Sequence, residues 1–203
     1  MSLVSNLFLL FVAASVLVYY IVPHKFQWLV LLCFSYIYYL AGGVRYVGFL
    51  LFSTLVTWLI ALAVEKTEAK GSHKGARNLL VLGLLLNFGM LGVVKYTNFA
   101  IENLNALFHM NLRGMEILLP LGISFYTFQS SGYLLDVYWK RCEAEKNPVK
   151  YALFVSFFPQ ILQGPIGRYS RLAHQLYEPH KFEGKNITRG FERILWGFFK
   201  KMI

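Results

Sequence analysis

Residues 3–22 of this chain contain no charged side chain, and neither do 26–44, 46–64 or 79–94. A helix rises 1.5 Å per residue, so about 20 residues cross the roughly 30 Å of hydrocarbon in a bilayer. Each run is near that length, and a chain in water would have to hide all of them at once. Lipid is the solvent that removes the problem. Only 15% of the residues are charged and 57% are hydrophobic, whereas a soluble domain carries about 25% charge. That balance argues against a disordered tail and against an ordinary soluble domain. The first run also lacks the basic stretch that precedes the apolar core of a cleaved signal peptide, so it reads as a span.

With a fifth run at 117–138, which has Pro120 in its first turn where a missing N–H is tolerated, the spans fall at about 3–22, 26–44, 46–64, 79–95 and 117–138. The predicted fold class is therefore all-α: one polytopic transmembrane helix bundle, 1–203, with no β-sheet. The second run is rich in aromatics and closes on Gly42-Gly43, so it also suits a re-entrant hairpin. The stretch 97–116 is mixed and amphipathic and is expected at the interface.

The net charge of +10 would by itself suggest nucleic acid. Here the basic residues lie between apolar runs, so the expected polyanion is the membrane surface, with the bilayer as partner and no nucleic acid. The connections 23–25, 65–78 and 138–150 carry nine Lys and Arg; the opposite face has Arg45, Lys95 and Arg113. The positive-inside rule then makes the first face cytoplasmic, including loops 65–78 and 139–150, and puts the N-terminus outside. Cys33 and Cys142 have no metal-ligand spacing and read as free thiols, with neither disulfide nor metal.

After Lys150 the pattern changes. Residues 151–162 are apolar but too short to span, and Pro159 interrupts them; Gln163-Gly164-Pro165-Ile166-Gly167-Arg168-Tyr169 follows. Such a segment cannot continue a regular helix. Irregular backbone at membrane depth survives only where protein buries it or where it lines a wet cavity. Residues 151–169 thus read as a Gly/Pro-broken re-entrant segment, or as a cytoplasmic loop after a short interfacial helix, with Arg168 and Arg171 meeting lipid phosphates. In the fifth run, Tyr126, Gln129, Ser130 and Tyr133 share one helical face. That face should point into the bundle, to bond neighbouring helices or to meet a substrate. Residues 187–203 read as an amphipathic helix, in the membrane plane or leading into a further span, with Asn186 or Thr188 as its cap. The sequon Asn186-Ile187-Thr188 falls on the cytoplasmic side and is discounted.

Two of these stretches carry a family resemblance. Residues 119–129 (LPLGISFYTFQ) with 132–138 (GYLLDVY), and residues 157–169 (FFPQILQGPIGRY), resemble membrane-bound O-acyltransferases of the alginate O-acetylase type. The order and spacing of the motifs match, as do 197–201 (GFFKK) and the opening apolar run that ends Tyr19-Tyr20-x-x-Pro23. The resemblance implies a cell-membrane acyltransferase. It would move an acyl group, typically acetyl, from a cytoplasmic acyl thioester such as acetyl-CoA to a hydroxyl of an exported polysaccharide. It also implies no bound cofactor, and a periplasmic or extracellular partner protein for acetylation. Such proteins work through a tunnel across the membrane, here expected to be lined by Gln129, Gln160, Gln163, Gly164, Pro165, Arg168 and Tyr169. A histidine deep in the tunnel is the expected base, its pKa near neutrality suiting the task.

None of His24, His73, His109, His174 and His180 matches the family's histidine motif, which lies beyond the position of Ile203. No catalytic residue is therefore expected in these residues. The chain reads as the N-terminal part of a longer acyltransferase, inactive alone. A transporter or channel with a discontinuous helix is the alternative, although no second copy of the break occurs in the first half. A non-catalytic membrane subunit is the other.

Overall fold

The computed structural model describes residues 6–108, 113–114, 120, 122–164 and 166–202, with backbone alone for 45, 162, 163, 201 and 202. Among these residues every regular element is a helix, with no strand. Helices α1 (Asn6–Ile21), α2 (Gln27–Gly42), α3 (Val44–Ala69), α4 (His73–Phe108) and α5 (Ile123–Tyr138) are followed by the short α6 (Pro148–Ser156), α7 (Phe158–Gln163) and α8 (Tyr169–Tyr177), then α9 (Gly184–Met202). The aromatic-rich second run is one unbroken helix, not a hairpin.

Helices α3, α4 and α5 form the centre of the bundle. Leu50, Ala61, Val64, Ala76, Leu80 and Leu134 are buried among them. Gly83 makes the approach possible, because a Cβ there would meet Leu134 Cδ1 at 2.8 Å and Ile60 Cγ2 at 3.1 Å. Beside it, Asn87 of α4 accepts from Ser53 (2.9 Å) and donates to Thr57 (2.9 Å), both on α3, and to its own helix at Gly83 O (3.0 Å). Four polar groups thus satisfy one another inside an apolar bundle, where lipid offers no partner. On the other flank, α1 and α2 close over α7 through an aromatic cluster of Phe8, Phe11, Tyr38 and Phe158.

Helices α3 and α4 are long and apolar enough to cross a membrane. They overrun the runs at 46–64 and 79–95. The polar stretch 65–78 is helical apart from the tight turn at 70–72, and α4 continues through Thr97 to Phe108 instead of turning onto the interface. At 36 residues α4 is about 54 Å long, well beyond a hydrocarbon core of about 30 Å. The cause is local: Lys, Glu, Ala, Arg and Asn flank both runs and carry a helix into water without breaking it. Of the fifth run, 123–138 is helical, while 117–119 lies outside the described residues.

Helix α9 starts at Gly184, ahead of both expected caps. Asn186 instead donates to the Glu183 carboxylate (2.9 Å), and the Thr188 hydroxyl donates back to Gly184 O (3.1 Å). Its apolar residues Phe191, Ile194, Leu195, Trp196 and Phe199 are all exposed.

Side chains fasten two connections and one pair of helices at one end of the molecule. Trp58 donates to Glu145 O (2.7 Å), and Ala144 N donates to the Glu65 carboxylate (2.8 Å), joining the 139–147 loop to α3. The Tyr177 hydroxyl donates to Lys150 O (2.7 Å). The buried Gln27 amide clamps the backbone of His180 from both sides, donating to its O (3.1 Å) and accepting from its N (2.9 Å). Tyr19 Oη lies 3.1 Å from His180 Nδ1.

Candidate functional site

The Gly/Pro-broken segment is a hairpin that leaves this end of the bundle and comes back to it. Asn147 starts it: its side-chain oxygen accepts from Val149 N (2.9 Å) and Lys150 N (3.4 Å), and Pro148 occupies the first turn, where no N–H is needed. The helix then stops at Ser156. The interruption falls at Phe157 (φ −53°, ψ 106°), two residues before the expected Pro159, which sits in the first turn of α7.

Of the helical hydrogen bonds lost at the interruption, one is separated into two half-bonds that are each satisfied from elsewhere. Phe158 N would have donated to Phe154 O four residues back. Instead Phe158 N donates to the Ser35 hydroxyl of α2 (3.2 Å), and Phe154 O accepts from the Gln129 amide of α5 (3.0 Å). An unsatisfied backbone group in an apolar interior costs several kcal/mol, so these two side chains are what makes the break tolerable there.

The glycines after the break serve the fold of one side chain. A Cβ on Gly164 would meet Gln160 Cα at 2.8 Å and Gln160 O at 2.9 Å, and one on Gly167 would overlap the Gln160 amide. The Gln160 side chain is thus seated between two glycines, with its Oε1 3.4 Å from Gln129 Nε2. Gly122, left-handed at φ +71°, completes the enclosure: a Cβ there would overlap Ile161 Cγ2 and come within 3.1 Å of Ile161 O.

Gly164 and Arg168 are both in extended conformation, and residues 166–168 form a wall shared by two cavities. One, of about 270 Å³, is lined by Gln129, Tyr133, Asp136 and Arg141; the other, of about 610 Å³, by Pro159, Gln160, Gly164, Arg171 and Gln175. Arg168 lines both and is exposed. Tyr169 then returns the chain to the start. Its hydroxyl donates to the Glu145 carboxylate at 2.6 Å, and its ring packs on Tyr133 (4.7 Å) and Phe154 (4.9 Å). Burial above all, then the neighbouring Tyr177 and Glu145, hold the Tyr169 phenol far above its usual range, so it stays a donor.

Of the residues expected to line a tunnel, Gln129, Gln160, Gly164 and Arg168 meet at these cavities, and Tyr169 lines the smaller one. Pro165 lies outside the described residues, as does the Gln163 side chain. The α5 face is buried: Tyr126, Gln129, Ser130 and Tyr133 are each at most 3% exposed, and Ser130 accepts from Tyr151 (3.4 Å). The Tyr126 and Thr127 hydroxyls of the same helix are buried without a hydrogen-bond partner among the described residues. Sequence reasoning missed Ser35 and Glu145. A lone serine in an aromatic run and one acid in a basic loop give no local signal.

The four described histidines lie elsewhere. His73 pairs with Glu68 (2.8 Å), His174 with Glu178 (3.2 Å) and His180 with Tyr19; His24 is in the turn after α1; none lines either cavity. His109 lies outside the described residues.

Comparison with known proteins gives three informative relatives. A probable alginate O-acetylase of Azotobacter vinelandii is 34% identical over 98% of this chain and 40% of its own length. A peptidoglycan O-acetyltransferase of Helicobacter pylori is 32% identical over 87% of this chain and 37% of its own length. A teichoic acid D-alanyltransferase of Lacticaseibacillus rhamnosus is 26% identical over 79% of this chain and 36% of its own length. No family model and no solved structure matches. The chain spans about 40% of the length of the first of these relatives. The chain belongs to the family of these O-acetyltransferases, and the resemblance read from its motifs and its opening run holds over nearly the whole chain.

Proposed function

We propose that this chain is the donor-side part of a membrane O-acyltransferase, of the kind its homologues are named for. The observation that carries the reading is the healed break. A Gly/Pro-rich hairpin is held inside an apolar bundle by Ser35 and Gln129, with a cavity on each side of residues 166–168. Nothing in a passive anchor needs such a segment, and a path for a polar substrate does.

In this reading the chain sits in the cell membrane with its N-terminus outside, and loops 65–78 and 139–150 are cytoplasmic. An acyl thioester, acetyl-CoA in the simplest case, approaches from the basic end, where Arg168 offers an exposed cation to the donor. An acceptor hydroxyl of an exported polysaccharide attacks the thioester carbonyl after losing its proton to a base, and the thiolate leaves. A partner protein outside the membrane handles the acceptor. The base comes from sequence beyond these 203 residues, since none of the described histidines lines either cavity, and the chain alone is inactive.

The test is acetyl-ester analysis of exported polysaccharide from cells carrying the full reading frame, the 203 residues alone, or the full frame with Arg168→Ala. The expected result is esters with the first only. Esters made by the 203 residues alone, or undiminished esters with Arg168→Ala, would overturn the reading.

A further inference from the structure

The outer face of α4 presents, from its first turn inward, Lys74, Arg77 and Asn78, then Val81, Leu82 and Leu85. These positions recur at the spacing of three and four that keeps residues on one helical stripe. They border an open surface depression of about 650 Å³, lined among the described residues by α4 alone. Val81, Leu82 and Leu85 are 46%, 48% and 65% exposed, and Lys74 and Arg77 are exposed as well.

Two facts distinguish this stripe from an ordinary lipid-facing surface. First, its cations are unclaimed: among the described residues, Glu68 pairs with His73 and Lys140, and Asp136 with Arg141, but neither Lys74 nor Arg77 makes an ion pair. Helix α4 carries no acidic residue before Glu102. Second, the order along the axis is that of an amphiphile. Eleven residues separate Lys74 from Leu85, about 17 Å of helix, close to the half-thickness of a hydrocarbon core of about 30 Å. A head group held at Lys74 and Arg77 would lay its chain along Val81, Leu82 and Leu85 without stretching or folding.

We propose that this stripe is a seat for one anionic phospholipid, its phosphate between Lys74 and Arg77 and one acyl chain along Val81–Leu85. The occupant follows from charge complementarity and length: a zwitterionic lipid would satisfy the apolar half but leave two cations facing a neutral head group. The inference is independent of the acyl-transfer reading, because it needs only that α4 crosses the bilayer.

The test uses the full chain in mild detergent, mixed in turn with dioleoyl phosphatidylglycerol and dioleoyl phosphatidylcholine, with bound lipid counted by native mass spectrometry. Wild type should retain phosphatidylglycerol on the order of tenfold better, as two cations near an anionic head group imply. Lys74→Ala with Arg77→Ala should abolish the preference. Lys74→Arg with Arg77→Lys should keep it, and so should Lys66→Ala with Lys70→Ala, which removes two cations at the same end but off the stripe. Equal retention of both lipids by wild type would overturn the proposal. So would a preference that survives loss of Lys74 and Arg77 and disappears with Lys185→Ala and Arg189→Ala on α9. A species of twice the chain mass, lipid-free and lost with Leu85→Asn, would assign the stripe to a second copy instead.

Discussion

The Tyr169 hydroxyl donates to the Glu145 carboxylate at 2.6 Å, tying the end of the broken hairpin to the loop from which it sets out. Charge-assisted hydrogen bonds of this kind contribute about 1.5–3 kcal/mol. Tyr169→Phe should therefore lower stability in detergent by roughly that amount. Glu145→Gln should cost less, because an amide oxygen still accepts. Thermal unfolding of both variants and of the pair checks this; additive losses would mean that the two groups do not depend on each other.

The half-bonds at the break predict an asymmetry. Ser35→Ala leaves Phe158 N without its acceptor and should cost about 1–3 kcal/mol. Gln129→Glu should cost more than Gln129→Ala, because a carboxylate turned toward Phe154 O sets acceptor against acceptor. Ranking the three by melting temperature decides the point. In the full reading frame the same order should appear in the acetyl-ester yield.

Gly122→Ala is expected to be among the most damaging small substitutions. The left-handed backbone alone costs roughly 1–2 kcal/mol for a residue with a Cβ, and here that Cβ also overlaps Ile161. Gly132→Ala, on the same helix with open space around it, is the control and should be near neutral. Comparable losses at the two positions would refute the close approach between α5 and α7.

Replacing Asn87 with Leu removes the group that gathers Ser53, Thr57 and Gly83 O. Intramembrane hydrogen bonds average about 0.6 kcal/mol, with a maximum near 1.7. Asn87→Leu should thus loosen the pairing of α3 and α4 by about 1–2 kcal/mol without unfolding the bundle. Faster amide exchange confined to these two helices is the expected signature.

Burial, with Asp136 and Glu65 nearby, pushes the Cys142 thiol from its ordinary value of 9.0 up to about 12. Alkylation by iodoacetamide at pH 8.5 should spare Cys142 in the folded protein and reach it after denaturation. The unfolded chain ionises this thiol first, so stability is unaffected below about pH 9 and declines as pH rises from there toward about 12. Cys142→Ser should flatten part of that decline.

Long uncharged runs such as 46–64 were legible because their length and apolarity match a helix that crosses the hydrocarbon core. Their ends were not. Glu65, Lys66 and Glu68 mark polarity, but they are good helix formers, so a charge boundary is not a structural one. The break announced itself through Pro159 and Gly164, yet its position at Phe157 did not. A phenylalanine carries no breaking tendency; what permits the gap is Ser35, 123 residues away along the chain, and Gln129, 25 residues away from Phe154. The side chains that hold irregular backbone together belong to other elements, and only the fold brings them there.

The Gln27 clamp on His180 bears on the order of events during synthesis. The two residues are 153 positions apart, and the buried Gln27 amide gains these two hydrogen bonds only once His180 has arrived. At 5–20 residues per second a ribosome needs about 8–30 s to travel that distance. For that interval the α1–α2 hairpin stands without this clamp. A tie between the first helices and the segment after α8 thus forms late.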